Sequence, residues 1–276
     1  MSYFRLRSFG DTEIETLART FAAAQPFPHV VIPDMIAAPP ADVLSNFPPY
    51  DSPCWKHFPD AYQRGKMILS NIALIREPLA SMVRELTDPA GLEFVERVTG
   101  VRGLFPDPYL QGAGLQCSGP GGVMAPHTDT YIQNRLGVYR RVNLLVYLNP
   151  EWDETDGGCL EFYHRSALAK PAKTIVPRWG TMVLFASDAH SVHGFATPVR
   201  RGRIRRALAV YYYSAVPAPV FSVYPLTYWW RHDPYRRGEA GTLLVRLARL
   251  QIYRALRFGA KLLAYLAHRT EPRVSS

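Results

Sequence analysis

The chain has 276 residues, of which 47% are hydrophobic, 20% are charged and 12% are aromatic. This apolar content excludes an intrinsically disordered protein, and the length is sufficient for one large domain. The three cysteines, Cys54, Cys117 and Cys159, lie far apart and form no CxxC pair. That spacing excludes a disulfide-rich scaffold and a thiolate zinc site, and we expect a reducing, cytoplasmic location.

The formal net charge of +9 is distributed unevenly along the chain. Residues 231–276 contain ten Lys or Arg and three acidic residues, so this segment carries +7 and the first 230 residues carry +2. A nucleic-acid enzyme usually has basic residues around its cleft, and we therefore expect no nucleic-acid partner. We predict one domain over residues 1–230 and a basic tail over 231–276. No export signal is predicted, because the amino terminus lacks a continuous apolar segment. No transmembrane helix is predicted either, because prolines interrupt the longest uncharged run, 207–230.

The first hundred residues predict helices and one strand. Apolar residues recur at helical spacing over 11–24, where Thr12 and Glu15 have the spacing of a capping box. His29–Ile32 is predicted to form a strand, and two further helices are predicted around 78–87 and 90–99.

Beyond Gly100, short runs rich in β-branched and aromatic residues are separated by Gly, Pro and Asp. The runs predicted as strands are 109–117, 122–127, 141–148, 158–164, 181–186, 192–195 and 205–213. Several short strands at such spacing indicate a sandwich or barrel. We therefore predict a mainly β fold with a single core and with helices packed on one side.

Two histidines and an aspartate in this strand-rich half suggest a metal site. Residues i and i+2 of a strand project from the same face, so His127 and Asp129 can bind one ion together. His193 follows another apolar strand, and two His plus one carboxylate form the facial triad of non-haem Fe(II) oxygenases. Zinc accepts the same donors, and His190 is an alternative ligand in the same loop as His193.

A strand that begins with Arg205 follows the second histidine. If the guanidinium points inward, it can bind a carboxylate, such as that of 2-oxoglutarate, through two hydrogen bonds. The alternative is that Arg205 and its neighbour Arg206 form a solvated edge.

The order and spacing of these segments resemble the Fe(II)- and 2-oxoglutarate-dependent dioxygenases, particularly the prolyl-hydroxylase-like branch, over about residues 108–214. The segments that carry the resemblance are Gly112–Leu115, Pro120–Gly122, His127–Asp129, Arg140–Asn149, Gly157–Gly158, His193–Gly194 and Arg205. The resemblance implies a double-stranded β-helix, the jelly-roll or cupin-like core. It also implies that Fe(II) is bound by His127, Asp129 and His193, and that 2-oxoglutarate is held by Arg205 and Tyr147.

The implied reaction uses O2 and 2-oxoglutarate, with ascorbate as an optional reductant, to hydroxylate an unactivated C–H bond. One position departs from the family pattern, because Cys117 stands where a second co-substrate tyrosine is often found.

Since no separate docking domain is predicted, we expect a small molecule or biosynthetic intermediate as substrate. The alternatives are a peptidyl or prolyl hydroxylase that acts on a protein, a non-catalytic jelly-roll binding module, and a cupin-type hydrolase or isomerase.

Three further segments have predicted roles. The aromatic segments 47–70 and 131–139 are predicted to form a lid or a pocket wall, or else to fill the core. Residues 241–268 predict a basic amphipathic helix. That helix is expected to pack on the core or to form a homodimer, and the alternative is peripheral contact with an anionic membrane.

Overall fold

The structure is a computed structural model that describes residues 2–58, 61–130, 132–133, 136–218 and 228–229. These residues lie in a compact unit that spans Met1–His232. The predicted basic tail, with its membrane or dimer contact, lies outside the described residues, and the division into residues 1–230 and 231–276 stays a prediction. Within the described ranges, no helix has the length and apolar character needed to span a bilayer.

Helices are concentrated in the first hundred residues, as predicted. The α-helices are α1 Asp11–Ala23, α2 Pro40–Leu44, α3 Leu79–Thr87 and α4 Pro89–Thr99. Short 3-10 helices cover Leu6–Ser8, Ala61–Gln63, Ile72–Leu74 and Glu154–Asp156.

Most of the remaining elements are strands. They are β1 His29–Ile32, β2 Lys56–His57, β3 Lys66–Leu69, β4 Phe105–Pro106, β5 Gly114–Ser118, β6 Met124–Thr128, β7 Ile132–Gln133, β8 Val138–Tyr147, β9 Leu160–Tyr163, β10 Lys173–Ile175, β11 Met182–Ala186, β12 Val192–Phe195, β13 Arg205–Ser214 and β14 Tyr228–Trp229.

The strands form two antiparallel sheets that together make a jelly-roll core. The larger sheet has the order β1-β11-β8-β13-β5-β3-β2, with β4 beside β13 and β7 beside β8. The smaller sheet has the order β10-β9-β12-β6-β14. The predicted mainly β fold is therefore confirmed, and the strand order brings β6 and β12 together although they are far apart in sequence.

The N-cap of helix α1 lies two residues before the predicted one. Gly10 is the N-cap, and its backbone N–H donates to Oε2 of Glu13 at 2.8 Å. The predicted pairing of Thr12 with Glu15 was wrong, because Asp11 and Thr12 already lie inside the helix. The carboxylate three residues after the cap therefore satisfies the free N–H at the helix start.

The first predicted strand beyond Gly100 begins later than expected, at Gly114. Its first residues instead form a turn around the buried carboxylate of Asp107, which accepts hydrogen bonds from the backbone N–H groups of Tyr109 and Gln111. An aspartate that binds the backbone two and four residues ahead favours a turn over a strand.

The main core lies between the larger sheet and the helices. Helix α3 contacts β13, and the hydroxyl of Tyr212 donates to the backbone oxygen of Leu86 at 2.7 Å. A second, smaller apolar cluster was not predicted; it consists of Met124, Trp152, Phe195 and Val199. The helices support the outside of the larger sheet and leave the space between the two sheets for the site.

Candidate metal centre and adjoining cavity

Three donor side chains that the sequence singled out meet between the two sheets. His127 and His193 are register partners on β6 and β12, and their ring centroids are 4.4 Å apart. Asp129 follows the end of β6, and its Oδ1 and Oδ2 lie 3.5 Å from Nε2 of His127 and of His193, respectively. One ligand atom from each of the three lies within 4.8 Å of the others. His190, the alternative ligand, is exposed and lies outside this cluster.

Both histidines are oriented by backbone carbonyl groups. The Nδ1 of His127 lies 2.9 Å from the backbone oxygen of Ala125, and the Nδ1 of His193 lies 2.9 Å from that of Ser191. Since a carbonyl oxygen can only accept, Nδ1 carries the proton in each ring, and the Nε2 lone pair is directed into the cluster. Burial, followed by the charge of His127, lowers the pKa of His193 to about 4, so this ring is neutral at pH 7.

Asp129 is held by two side chains from β8. Its Oδ2 accepts a hydrogen bond from Nδ2 of Asn143 at 2.7 Å and lies 3.0 Å from a terminal guanidinium nitrogen of Arg140. Burial would raise the pKa of Asp129, but the charge of Arg140, aided by both histidines, holds it well below its usual range. The carboxylate is therefore ionised and fixed in orientation, as a metal ligand requires.

Arg140 itself is buried against aromatic rings. Its guanidinium carbon lies 3.8 Å from the ring centroid of Tyr211 and 5.9 Å from that of Tyr213. The stacking supplies a favourable environment for a cation that is 5% exposed.

Arg205 lies inside the protein, which is one of the two alternatives that the sequence left open. Its Nε donates to the backbone oxygen of Gly158 at 2.6 Å, and a terminal nitrogen donates to the Tyr147 hydroxyl at 3.1 Å. The guanidinium carbon also lies 4.6 Å from the ring centroid of Phe195. Arg206 points away, with its guanidinium carbon 5.6 Å from the ring centroid of Phe47. The alternative of a solvated edge is therefore wrong for Arg205.

One cavity connects the histidine–aspartate cluster with Arg205. Its lining residues are Lys66, Gln116, Met124, His127, Asp129, Asn143, Leu145, Leu160, Phe185, His193, Gly194, Phe195, Arg205 and Tyr211. Eight of these fourteen residues have polar or charged side chains, so the cavity can bind a small polar ligand through several groups.

Cys117, where the family pattern has a tyrosine, does not face this cavity. It belongs to the apolar core on the opposite face of β5, and burial raises the pKa of its thiol to about 12. The neighbouring Gln116 faces the cavity and donates to the hydroxyl of Tyr211 at 3.1 Å.

Four residues at or beside the site were not predicted from the sequence: Gln116, Arg140, Asn143 and Tyr211. Strand alternation could have identified two of them, because Asn143 shares a face with Tyr147 and Tyr211 shares a face with Arg205. The predicted pocket segment 47–70 does contribute Lys66, whereas residues 131, 134 and 135 of the segment 131–139 lie outside the described residues.

Comparison with known proteins finds a similarity over part of the chain. The family model of the 2OG-Fe(II) oxygenase superfamily matches residues 113–213. Prolyl 3-hydroxylase OGFOD1 of Xenopus laevis is 31% identical over 77 residues, which is 27% of this chain and 15% of that protein. The match therefore spans a small part of that relative.

Two solved structures have a similar fold. One is a prolyl hydroxylase from Trichoplax adhaerens in complex with a hypoxia inducible factor peptide fragment; its TM-score is 0.51 at 20% identity, with 74% of this chain and 91% of that chain covered. The other is SnoN, an epimerase from nogalamycin biosynthesis; its TM-score is 0.50 at 14% identity, with 75% and 85% covered.

Proposed function

We propose that the chain is a 2-oxoglutarate-dependent hydroxylase of the 2OG-Fe(II) oxygenase superfamily, whose family model matches residues 113–213. We assign Fe(II) to His127, Asp129 and His193, and the remote carboxylate of 2-oxoglutarate to Arg205 and Tyr147. The observation that carries the proposal is that this donor set and Arg205 line the same cavity.

The donor set fits a ferrous ion. Two Nε2 lone pairs and one carboxylate oxygen form a facial set that leaves coordination positions open for other ligands. When bound, Fe(II) and 2-oxoglutarate supply the oxidising power, because decarboxylation of 2-oxoglutarate to succinate is coupled to activation of O2.

The chain's own residues orient these groups and exclude water. Arg140 and Asn143 fix one oxygen of Asp129, and the backbone carbonyls fix the tautomer of each histidine. The Arg205 guanidinium is buried beside Phe195, where a charge pair with a carboxylate is strong. No side chain has to act as general base, since the reaction abstracts hydrogen from carbon.

The first test measures succinate formed with Fe(II), ascorbate and 2-oxoglutarate, with and without a chelator. We expect His127→Ala and Asp129→Ala to abolish chelator-sensitive succinate formation. Arg205→Ala should mainly raise the 2-oxoglutarate concentration needed for half-maximal rate, by about tenfold or more, because a charge-assisted hydrogen-bond pair is lost.

His190→Ala is the matched control, because this histidine lies three residues before His193, just outside β12, and is exposed. It should leave succinate formation unchanged. Undiminished 2-oxoglutarate consumption in the His127, Asp129 and Arg205 variants would contradict the assignment.

For the substrate, we propose a small molecule, with hydroxylation as the outcome, and we place the reaction in the cytoplasm. Hydroxylation of a prolyl residue is the second candidate, which the similarity to a prolyl 3-hydroxylase over 77 residues favours. Mass spectrometry after incubation with a proline-containing peptide library separates the two, since a prolyl hydroxylase adds the mass of one oxygen atom to a peptide.

A further inference from the structure

Asn143 is a buried amide of which the proposed function uses one end. It lies on β8, lines the cavity and is 1% exposed. Its Nδ2 donates to Oδ2 of Asp129 at 2.7 Å, whereas its Oδ1 is buried and, within the described ranges, has no hydrogen-bond partner. Of the buried side-chain atoms in that situation, Oδ1 is the one that belongs to a cavity-lining residue of the described chain. A buried acceptor without a partner is uncommon in folded proteins and indicates a functional role.

The orientation of this amide is determined by Asp129. If the two amide ends were exchanged, Oδ1 would lie against a carboxylate oxygen, and two acceptors repel each other. The Nδ2 atom therefore faces Asp129, and Oδ1 is the atom left for a ligand. The 2-oxoglutarate dianion cannot be that ligand, because its keto and carboxylate oxygens can only accept hydrogen bonds.

A hydrogen-bond donor lies beside Asn143 on the next strand. Tyr211 on β13 is the register partner of Asn143 and also lines the cavity. Directly opposed residues of an antiparallel sheet point to the same side. The Tyr211 hydroxyl accepts a hydrogen bond from Nε2 of Gln116 at 3.1 Å, and the same Nε2 donates to the backbone oxygen of Gly112 at 3.1 Å. Because Gln116 donates here, the hydrogen of the Tyr211 hydroxyl is available for a further bond.

We propose that the substrate of this site presents a hydroxyl or amide group to Asn143 and Tyr211. The O–H or N–H of that group donates to Oδ1 of Asn143, and its oxygen accepts from the Tyr211 hydroxyl. The inference rests on the proposed function, which assigns the iron to Asp129, the residue that Asn143 contacts. A site with a buried acceptor discriminates against an analogue that lacks the donor. The substrate is therefore oxidised at a carbon close to one of its own hydroxyl or amide groups.

The test uses three small probes of equal size: 2-propanol offers an O–H donor, acetamide offers N–H donors, and acetone offers neither. The full chain is loaded with Mn(II) in place of Fe(II) and with saturating 2-oxoglutarate, so that Arg205 is occupied. Binding is followed by the relaxation that Mn(II) induces in the methyl protons of each probe. We expect 2-propanol or acetamide, whichever matches the substrate group, to bind at least about fivefold more tightly than acetone.

The variant Asn143→Leu tests the acceptor. It should reduce the preference for the donor probe to within about twofold, because Oδ1 is lost. Arg140→Lys is the matched control, since Arg140 contacts the same oxygen of Asp129 but does not line the cavity. Both variants should lower Mn(II) affinity, so Mn(II) is kept saturating, and Arg140→Lys should keep the preference.

The variant Tyr211→Phe tests the donor without removing the aromatic ring. It should weaken binding of all three probes by a similar factor, about threefold, because each probe has an oxygen that can accept from the hydroxyl.

Three results would overturn the inference while the proposed function stands. One is equal or undetectable binding of all three probes to the Mn(II)-loaded chain, which would result if Oδ1 instead contacts the ion or a water molecule. The second is a donor preference that Asn143→Leu leaves intact, and the third is a preference that Arg140→Lys abolishes equally. A chain that does not bind Mn(II), as judged by the electron paramagnetic resonance signal of the free ion, would instead overturn the proposed function and this inference with it.

Discussion

At the scale of single residues, the position of Arg205 depends on a glycine. Gly158 has a φ of +61°, and a Cβ built there would lie 2.9 Å from Cδ of Arg205 and 3.0 Å from Cγ2 of Val199. The backbone oxygen of Gly158 also accepts the hydrogen bond from Nε of Arg205. The missing side chain is therefore what allows the guanidinium to reach Tyr147.

We predict that Gly158→Ala weakens 2-oxoglutarate binding selectively. The added methyl group displaces Arg205, so the half-saturating 2-oxoglutarate concentration in the succinate assay should rise about tenfold. The strained backbone should also cost about 1 kcal/mol of stability. Gly202→Ala is the matched control, because Gly202 has a φ of +81° but no atom within 4 Å of the added Cβ. The two variants should lose similar stability, and an equal rise in half-saturation would show that Arg205 is not displaced.

At the scale of elements, period-2 alternation accounts for what the sequence could predict of the site. His127 and Asp129 were predicted to share a face, and their ligand atoms do meet. Tyr147 was instead implied by the family resemblance, and the inward direction of Arg205 was one of two alternatives; the two buried side chains are hydrogen-bonded to each other. Alternation works here because one face of each sheet is fully occupied, so that register is strongly determined.

Arg140 shows where alternation fails. Strict alternation along β8 would place Arg141 on the same face as Asn143 and Arg140 on the opposite face. The register of β8 and β13 shifts between Tyr212 and Tyr213, so Arg141 is an extra residue and Arg140 is opposite Tyr213. This β-bulge brings Arg140 to the same face as Asn143, and nothing local in the sequence indicates the bulge.

The pairing of β14 with β6 predicts how far the chain can be shortened without weakening the proposed metal site. Trp229 is the register partner of His127, so β14 covers the outer edge of β6, the strand that carries a proposed metal ligand. A chain that ends at His232 should retain succinate formation and its affinity for Mn(II), which is used in binding measurements in place of Fe(II). A chain that ends at Thr227 lacks β14, and its exposed β6 edge should weaken Mn(II) binding about tenfold, since about two backbone hydrogen bonds are lost. Equal Mn(II) affinity of the two shortened chains would contradict this role of β14.

At the scale of the whole molecule, the sequence predicted the fold class because helical and strand periodicities occupy separate parts of the chain. The helices of the first hundred residues and the strands beyond them are observed where their patterns lie. Edge strands were missed, since β2 has two residues and β3 has four, too few to show a period. Strand β3 carries Lys66, which lines the cavity and which the sequence placed in a pocket segment but not on a strand.

The same site makes the stability of the metal-free protein depend on pH. The pKa of His193 is about 4 in the folded state and 6.5 in an unfolded chain, so between these values the unfolded state binds one proton more. Stability is therefore highest above pH 6.5 and falls as the pH decreases, by about 1.4 kcal/mol per pH unit and about 3 kcal/mol in total from this residue. Asp129, whose pKa is lowered, adds a further loss of stability at still lower pH.

Urea unfolding of the chelator-treated chain at pH 7.5 and at pH 5 should show this fall in the free energy of unfolding. His193→Gln should reduce the difference in the free energy of unfolding between the two pH values. Identical differences in the variant and the parent chain would mean that His193 is not buried in its neutral form.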